Sequence, residues 1–297
     1  MSQNIAIIGL GSMGFGMALS AVRGAHRVWG DDLSAKRKAE FVVEGGETSP
    51  LSEAAPQLDV VAVVVLNAAQ TEDVLFGDNG IAPKLRKGAV VMGCATVPPE
   101  FAKDMEARCT ALGILYLDTP ISGGAGKAAQ GRLSIMASGH PDAFAAAKPA
   151  LESLSETVFK LGDHAGPGSA MKAVNQLLAG VHIAAMAEAM TFGMTQGVAP
   201  EQFLDVISKC AGTSWMLENR APHIVEGDYS PRSQVAIWPK DLGIVLDIAK
   251  STGFNAPITQ TALDQFKAAA DMGLAAEDDA AVAKTYARQA GITLPGE

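Results

Sequence analysis

The chain has 297 residues, of which 48% are hydrophobic and 19% charged, so it is long enough for two domains and too apolar to be disordered. Its formal net charge is −9 and it has no basic cluster, which disfavours nucleic acid and anionic membranes as partners. No basic, apolar leader precedes the first predicted strand, so we expect a cytoplasmic protein.

The cysteines and histidines do not form a recognisable site. Cys94, Cys109 and Cys210 are odd in number and far apart, which favours reduced, buried thiols over disulfides. The five histidines are scattered, without a metal-ligand spacing such as HExxH, so we expect no metal.

The first elements have the pattern of a dinucleotide-binding turn. Residues 4–8 form a short apolar run that predicts a buried parallel strand, and a helix is predicted over 17–22. The segment that leads from strand to helix consists of Gly9, Leu10, Gly11, Ser12, Met13 and Gly14. In this pattern the first glycine permits a tight turn, the second lets a pyrophosphate approach the backbone, and the third lets the helix pack on the strand. The amino end of the helix then offers unpaired N–H groups to the phosphates.

An acidic residue after the second strand completes the pattern. The apolar run at 28–29 ends in Gly30, Asp31 and Asp32, and Asp32 lies eighteen residues after Gly14. A carboxylate at this place accepts hydrogen bonds from the ribose hydroxyls and repels a 2′-phosphate, so NAD is favoured over NADP. Asp31 is the alternative ribose ligand, because a strand end predicted from sequence can shift by a residue or two.

The rest of the amino-terminal part alternates strands with helices. Strands are predicted over 45–48, 59–66, 88–94, 114–118, 133–137 and 157–160, and helices over 34–43 and 100–112. This alternation predicts a doubly wound sheet that binds ligands at the carboxyl ends of its strands. Such ends carry Leu66, Asn67, Thr96 and Ser122, and we expect Leu66 and Asn67 to border the cofactor.

The sequence changes character near residues 162–168, where strand signals fade. Residues 169–196 predict one long helix, whose polar residues favour a buried helix between two domains over a membrane span. More helices are predicted over 200–210, 233–251, 257–272 and 278–290. The prediction is therefore an α/β Rossmann-type domain over 1–164 and an all-helical domain over 165–297, joined by the long helix.

Lys172 is the candidate catalytic residue. It follows a helix-start signal at 166–169 and is expected in the first turn, where the positive helix end and a desolvated cleft disfavour the ammonium form. A neutral amine there could take the proton of a substrate hydroxyl while hydride leaves for the nicotinamide. Asn175 and Gln176 lie on the same helical face, and either could be the supporting amide. Taken alone, this pattern is also typical of a solvated helix start.

Three other segments are candidates for contacts with the ligands. Ser122, Gly123 and Gly124 follow a strand, and their N–H groups and hydroxyl suit a substrate carboxylate, although a plain β-turn has the same pattern. Lys240 could reach the cofactor or a carboxylate, or be a surface lysine. Trp215 is a candidate for the pocket wall or for the core.

Together these segments resemble the β-hydroxyacid dehydrogenase family, which includes 3-hydroxyisobutyrate dehydrogenase and tartronate semialdehyde reductase. The resemblance covers nearly the whole chain and is carried by residues 8–14, 118–124, 168–175 and 240–243. It implies that Lys172 is catalytic, that Ser122 and the glycines after it hold the carboxylate, and that Thr96 and Lys240 contact the cofactor. It also implies a homodimer or homotetramer formed through the helical domain.

Within the family, the likeness is strongest to a subgroup that oxidises a four-carbon sugar acid with NAD at the hydroxyl next to the carboxylate. Residues 67–71, 95–100, 175–182 and 214–220 carry this likeness. Many family members have a second Asn where this chain has Gln176. The alternatives are the same chemistry on 3-hydroxyisobutyrate or tartronate semialdehyde and, in another class, a non-catalytic NAD-binding module.

Overall fold

The computed structural model describes residues 2–297, which fall into two compact units divided between Lys172 and Ala173. The first unit is built on a sheet of eight strands within the described residues. They are β1 (Asn4–Ile8), β2 (Arg27–Asp31), β3 (Val60–Val63), β4 (Val90–Gly93), β5 (Leu115–Asp118), β6 (Ile121–Ser122), β7 (Leu133–Gly139) and β8 (Ser155–Lys160).

Helices flank this sheet and connect its strands. They are α1 (Gly14–Arg23), α2 (Ala35–Val43), α3 (Leu51–Ala54), α4 (Ala68–Phe76), α5 (Pro99–Ala111), α6 (Gly124–Gln130) and α7 (Pro141–Leu154). A longer helix, α8 (Pro167–Thr195), begins in the first unit and continues in the second.

The strand order is β2-β1-β3-β4-β5-β7-β6, with β8 also paired to β7. Strands β1 to β5 are parallel, and β7 runs antiparallel to β5 and β6. Because β2 and β3 lie on opposite sides of β1, the chain changes direction across the sheet between β1 and β3. In doubly wound sheets the crevice at such a switch point, outside the strand carboxyl ends, binds the nucleotide.

Strand β1 shows why its sequence lacks the usual alternation of apolar and polar residues. Ile5 and Ile7 lie in the hydrophobic core on one side of the sheet, and Ala6 and Ile8 lie in the core on the other side. Both faces of the strand are therefore covered, so every position favours an apolar side chain.

The second unit is helical. After α8 it contains α9 (Pro200–Ile207), α10 (Trp215–Glu226), α11 (Ile237–Ser251), α12 (Pro257–Ala269) and α13 (Ala283–Ala290). In its core, the rings of Trp238 on α11 and Phe266 on α12 stack with their centroids 5.4 Å apart.

Helix α8 is long and apolar enough to span a membrane by length and composition alone, and 39% of its most hydrophobic window is buried. Ile183, Met186 and Met190 on this helix belong to the core of the second unit. A core helix of a globular protein passes the same test of length and hydropathy.

The predicted fold class, a Rossmann-type domain followed by a helical domain, is confirmed. The strand predicted over 45–48 is wrong: Gly45, with φ +101°, lies in a turn, and residues 46–48 have no regular secondary structure. Helices α7 and α10 are absent from the sequence prediction; Pro149 and Pro222 lie inside them, and an internal proline argues against a helix. Cys210, expected to be buried, is exposed.

Candidate active site

The glycine-rich turn follows β1 and has the geometry of a tight strand-to-helix connection. Gly9 has φ +97°, and a Cβ there would lie 2.3 Å from the carbonyl oxygen of Val64. A Cβ at Gly14 would lie 1.8 Å from the carbonyl oxygen of Gly9. By contrast, a Cβ at Gly11 would meet no atom within 4 Å. Gly9 and Gly14 are therefore required by packing, whereas Gly11 leaves open space that a bound pyrophosphate can use.

The two acidic residues after β2 differ in their surroundings. Asp32 accepts hydrogen bonds from the backbone N–H groups of Leu10 at 2.7 Å and Ser34 at 2.8 Å. Asp31 instead pairs with the Nζ of Lys38, 3.3 Å away. The Asp32 carboxylate thus borders the glycine turn, where the family pattern places the ribose ligand.

Three other candidate cofactor residues lie beyond the ends of β3 and β4: Leu66, Asn67 and Thr96. Leu66 is exposed and Asn67 caps α4, its Oδ1 accepting a hydrogen bond from the backbone N–H of Gln70 at 2.9 Å. Asn67 directly precedes the first residue of α4 and bonds to the N–H group three residues on, as an ordinary N-cap residue does. Thr96 is partly buried in the loop after β4. Ser12 and Met13 lie in the glycine turn, just before α1.

Lys172 lies near the turn predicted to bind a carboxylate. Its side chain is buried, with 8% exposure, and Nζ donates a hydrogen bond to the backbone oxygen of Ile121 at 2.8 Å. The next residue along the chain is Ser122. Since α8 begins at Pro167, Lys172 occupies the second helical turn, so the prediction of the first turn is wrong.

Asp118, at the end of β5, is a residue whose role sequence reasoning missed. One of its oxygens accepts hydrogen bonds from the N–H groups of Gly166 at 3.0 Å and Ser169 at 2.8 Å, and the other accepts from the Ser169 hydroxyl at 2.7 Å. Ser138 donates a further hydrogen bond at 3.2 Å. Burial raises the pKa of the Asp118 carboxyl, and these hydrogen bonds oppose the shift.

This carboxylate caps the amino end of α8 from a distant part of the chain. The partial positive charge of the helix end therefore faces the carboxylate of Asp118. The sequence signal that could have identified Asp118 is its place as an acidic residue at the carboxyl end of a buried strand, shortly before the Ser122 turn.

The turn after β6 is built by two glycines with positive φ. Ser122 pairs with Ser134 in the sheet, and φ is +137° at Gly123 and +76° at Gly124. A Cβ at Gly124 would meet no atom within 4 Å, so this part of the turn is accessible.

In the second unit, the remaining candidates lie on three helices. Gln176 on α8 donates from its side-chain nitrogen to the Oδ2 of Asp241 on α11, and Asn175 donates to Gln176 Oε1 at 2.9 Å. The Nζ of Lys240 lies 2.5 Å from Asp241 Oδ1. Trp215 begins α10 and is 57% exposed, so it is not a core residue of this unit.

The described residues 2–297 contain no group of three or more His, Cys, Asp or Glu side chains that could hold a metal ion. The thiol of Cys94 is also unsuited to nucleophilic chemistry, because burial raises its pKa to about 12.

Comparison with known families matches both parts of the chain. Residues 4–162 match the NAD-binding domain of 6-phosphogluconate dehydrogenase, and residues 166–286 match the NAD-binding domain of NADP-dependent 3-hydroxyisobutyrate dehydrogenase.

Individual relatives are similar over their full length. L-threonate dehydrogenase of Cupriavidus necator is 47% identical, with 100% of this chain and 99% of the relative covered. L-threonate dehydrogenase of Escherichia coli K12 is 44% identical, with 99% and 97% covered. A crystal structure described as 3-hydroxyisobutyrate dehydrogenase from Salmonella typhimurium superposes with a TM-score of 0.90 at 44% identity, covering 96% of this chain and 100% of that one.

Proposed function

Because the chain belongs to the β-hydroxyacid dehydrogenase family, we propose that its substrate is L-threonate, which it oxidises with NAD to the 2-oxo acid. The enzyme is an NAD(P)-dependent oxidoreductase that acts on the CH–OH group of a hydroxy acid. Full-length similarity to L-threonate dehydrogenases of two bacteria supports the choice of substrate.

The glycine turn and Asp32 are the proposed binding elements for the cofactor. The open space at Gly11 fits a pyrophosphate, and the Asp32 carboxylate beside Leu10 fits a ribose diol. Leu66, Asn67, Thr96 and Lys240 are proposed as further contacts. NAD, when bound, supplies the acceptor for a hydride.

Lys172 is the proposed general acid/base. In the oxidation the hydroxyl proton passes to the Nζ amine, while the hydrogen on the same carbon leaves with its electron pair to the nicotinamide. The single observation that carries this role is the burial of Lys172 against Ile121, next to Ser122. An amine at this position is adjacent to the turn that we propose binds the acid, which supports the role in proton transfer.

The carboxylate of the substrate is proposed to bind to Ser122, Gly123 and Gly124. A backbone N–H group only donates hydrogen bonds, and a hydroxyl can donate one, so together they suit an anion. Asn175, Gln176 and Trp215 are proposed to contact the rest of the substrate. As in the family, we propose a cytoplasmic homodimer or homotetramer.

The test is NADH formation by the purified chain with L-threonate, erythronate, 3-hydroxyisobutyrate and glycerate, together with NADH oxidation in the presence of tartronate semialdehyde. We expect the highest kcat/KM with L-threonate. A clear preference for 3-hydroxyisobutyrate, or activity only in the reduction of tartronate semialdehyde, would replace the substrate and retain the chemistry. Tight NAD binding with no turnover of any of these acids would instead support the non-catalytic NAD-binding module.

A further inference from the structure

A series of hydrogen bonds in the second unit leads from a partly exposed amide to a buried carboxylate. Asn175 Nδ2 donates to Gln176 Oε1 at 2.9 Å, and Gln176 Nε2 donates to Asp241 Oδ2. Gln176 and Asp241 are buried, the latter with 2% exposure, whereas Asn175 is partly exposed. Lys240 Nζ, 2.5 Å from the other carboxylate oxygen, balances the charge of Asp241.

The packing of α8 on α11 brings this amide and this carboxylate together. Gly180 lies one turn after Gln176, and a Cβ there would be 2.8 Å from Leu242 Cδ2 and 3.0 Å from the Trp238 ring. The missing side chain allows the two helices to approach closely at this point. Asp241 directly precedes Leu242, so the same close approach places its carboxylate within reach of Gln176.

The Asp241 carboxylate dictates the direction of both hydrogen bonds that link it, through Gln176, to Asn175. An ionised carboxylate only accepts, so Gln176 must turn its N–H₂ group toward Asp241. The opposite end of the Gln176 amide is then Oε1, which also only accepts. Asn175 must therefore direct Nδ2 at Gln176, and its carbonyl oxygen Oδ1 is the end left for another partner.

We propose that Asp241 is a positioning residue that fixes the orientation of the Asn175 side chain, so that Asn175 offers the acceptor Oδ1 to a hydroxyl of the bound acid. The inference rests on the proposed function, in which Asn175 contacts the substrate. It assigns the substrate contact to Asn175 and makes Gln176 the buried link between that contact and Asp241.

Moving the carboxylate from residue 241 to its hydrogen-bond partner, residue 176, tests this direction of hydrogen bonding. In the Asp241→Asn variant, the side chain at 241 can donate or accept, so it no longer dictates the orientation of Gln176. In the Gln176→Glu variant, two carboxylates face and repel each other. In the double variant, Asn at 241 can donate to Glu at 176, which also accepts from Asn175, so the original orientation of Asn175 is restored. Asp247→Asn, at an exposed position of α11, is the matched control.

We expect each single substitution to lower kcat/KM for the acid about tenfold, and the double variant to recover to within about threefold of wild type. The primary deuterium isotope effect on kcat/KM should rise in Asp241→Asn, because a misoriented Asn175 slows the chemical step, and should return in the double variant. Loss of folded protein alone leaves the isotope effect unchanged. Thermal unfolding of each variant is measured alongside.

An Asp241→Asn enzyme with wild-type kcat/KM and isotope effect would overturn the proposal, as would losses that simply multiply in the double variant. The side-chain amide signal of Asn175 in the NMR spectrum gives a test without turnover. It should shift in Asp241→Asn and not in Asp247→Asn. If the wild-type enzyme oxidises none of the acids, the proposed function fails, whereas this signal still decides the role of Asp241.

Discussion

The carboxylate of Asp118 holds Ser169 by two hydrogen bonds, one of 2.8 Å from the backbone nitrogen and one of 2.7 Å from the hydroxyl. Ser169 lies in the first turn of α8, three residues before Lys172, and 51 residues after Asp118. The end of strand β5 thereby fixes the start of the helix that carries the proposed catalytic lysine.

Asp118→Asn should lower both stability and turnover. The amide would direct N–H groups at donors that now bond to the carboxylate, and a buried polar group without a partner costs about 2 kcal/mol. The free energy of unfolding in urea and kcat are the measurements. Asp163→Asn, at an exposed position near the start of α8, should change neither. Normal kcat in a fully folded Asp118→Asn enzyme would show that the cap does not position Lys172.

Lys172→Ala should reduce kcat by about a hundredfold or more, which is the usual contribution of a general acid/base. The dissociation constant of NAD, followed by fluorescence, should stay nearly constant, since the role assigned to this residue is proton transfer. Lys148→Ala, an exposed lysine on α7, serves as the control. A Lys172→Ala enzyme that retains near-normal turnover would remove Lys172 as the base.

Gly11→Ala and Gly14→Ala separate ligand binding from folding. The added methyl at residue 14 would lie 1.8 Å from the Gly9 oxygen, so the free energy of unfolding should fall by about 2 kcal/mol or more. The methyl at residue 11 meets open space, so stability should hold while NAD binds about tenfold more weakly. Unchanged NAD affinity in Gly11→Ala would argue that the pyrophosphate lies elsewhere.

Asp32→Ala should weaken NAD binding and reduce the preference for NAD over NADP by about tenfold, because the repulsion of a 2′-phosphate is lost. Initial rates with each cofactor give the ratio of the kcat/KM values. Asp31→Asn is the matched comparison, as its carboxylate pairs with Lys38 rather than with the glycine turn. If only Asp31→Asn changes the ratio, the ribose ligand is Asp31.

The ionised carboxylate of Asp278 should make the stability of the second unit depend on pH. Burial alone would raise its pKa, but hydrogen bonds from His223 and from the N–H groups of Arg232 and Ala280 bring the pKa below its ordinary value. For an acid with a lowered folded-state pKa, the stabilisation is present above the unfolded pKa of about 3.9 and is lost as pH falls through the folded value.

Asp278→Asn should therefore be less stable than wild type at neutral pH, and the difference should shrink below about pH 4. Urea unfolding of both proteins across this range is the measurement. The exposed Asp271→Asn provides the comparison. A difference that stays constant from neutral to acid pH would show that the ionised carboxylate does not contribute.

Local sequence predicted the nucleotide-binding half of the first unit. The tight turn at Gly9, the helix from Gly14 and the carboxylate of Asp32 all lie within one strand-turn-helix-strand segment. Their geometry depends on backbone sterics and on spacing along the chain, so periodicity and residue type suffice to predict them. The same reasoning identified Lys172 near a helix start, although one turn too early.

The hydrogen bonds that orient the proposed site depended on tertiary structure. Asp118 and Ser169 are 51 residues apart and Gln176 and Asp241 are 65 residues apart, so no local pattern pairs them. Each pair forms because packing of strands or helices removes a carboxylate from water, and a buried carboxylate needs donors close at hand. The sequence by itself determined which groups are available for the proposed cofactor binding and proton transfer; folding decided which donors meet the buried acids Asp118 and Asp241.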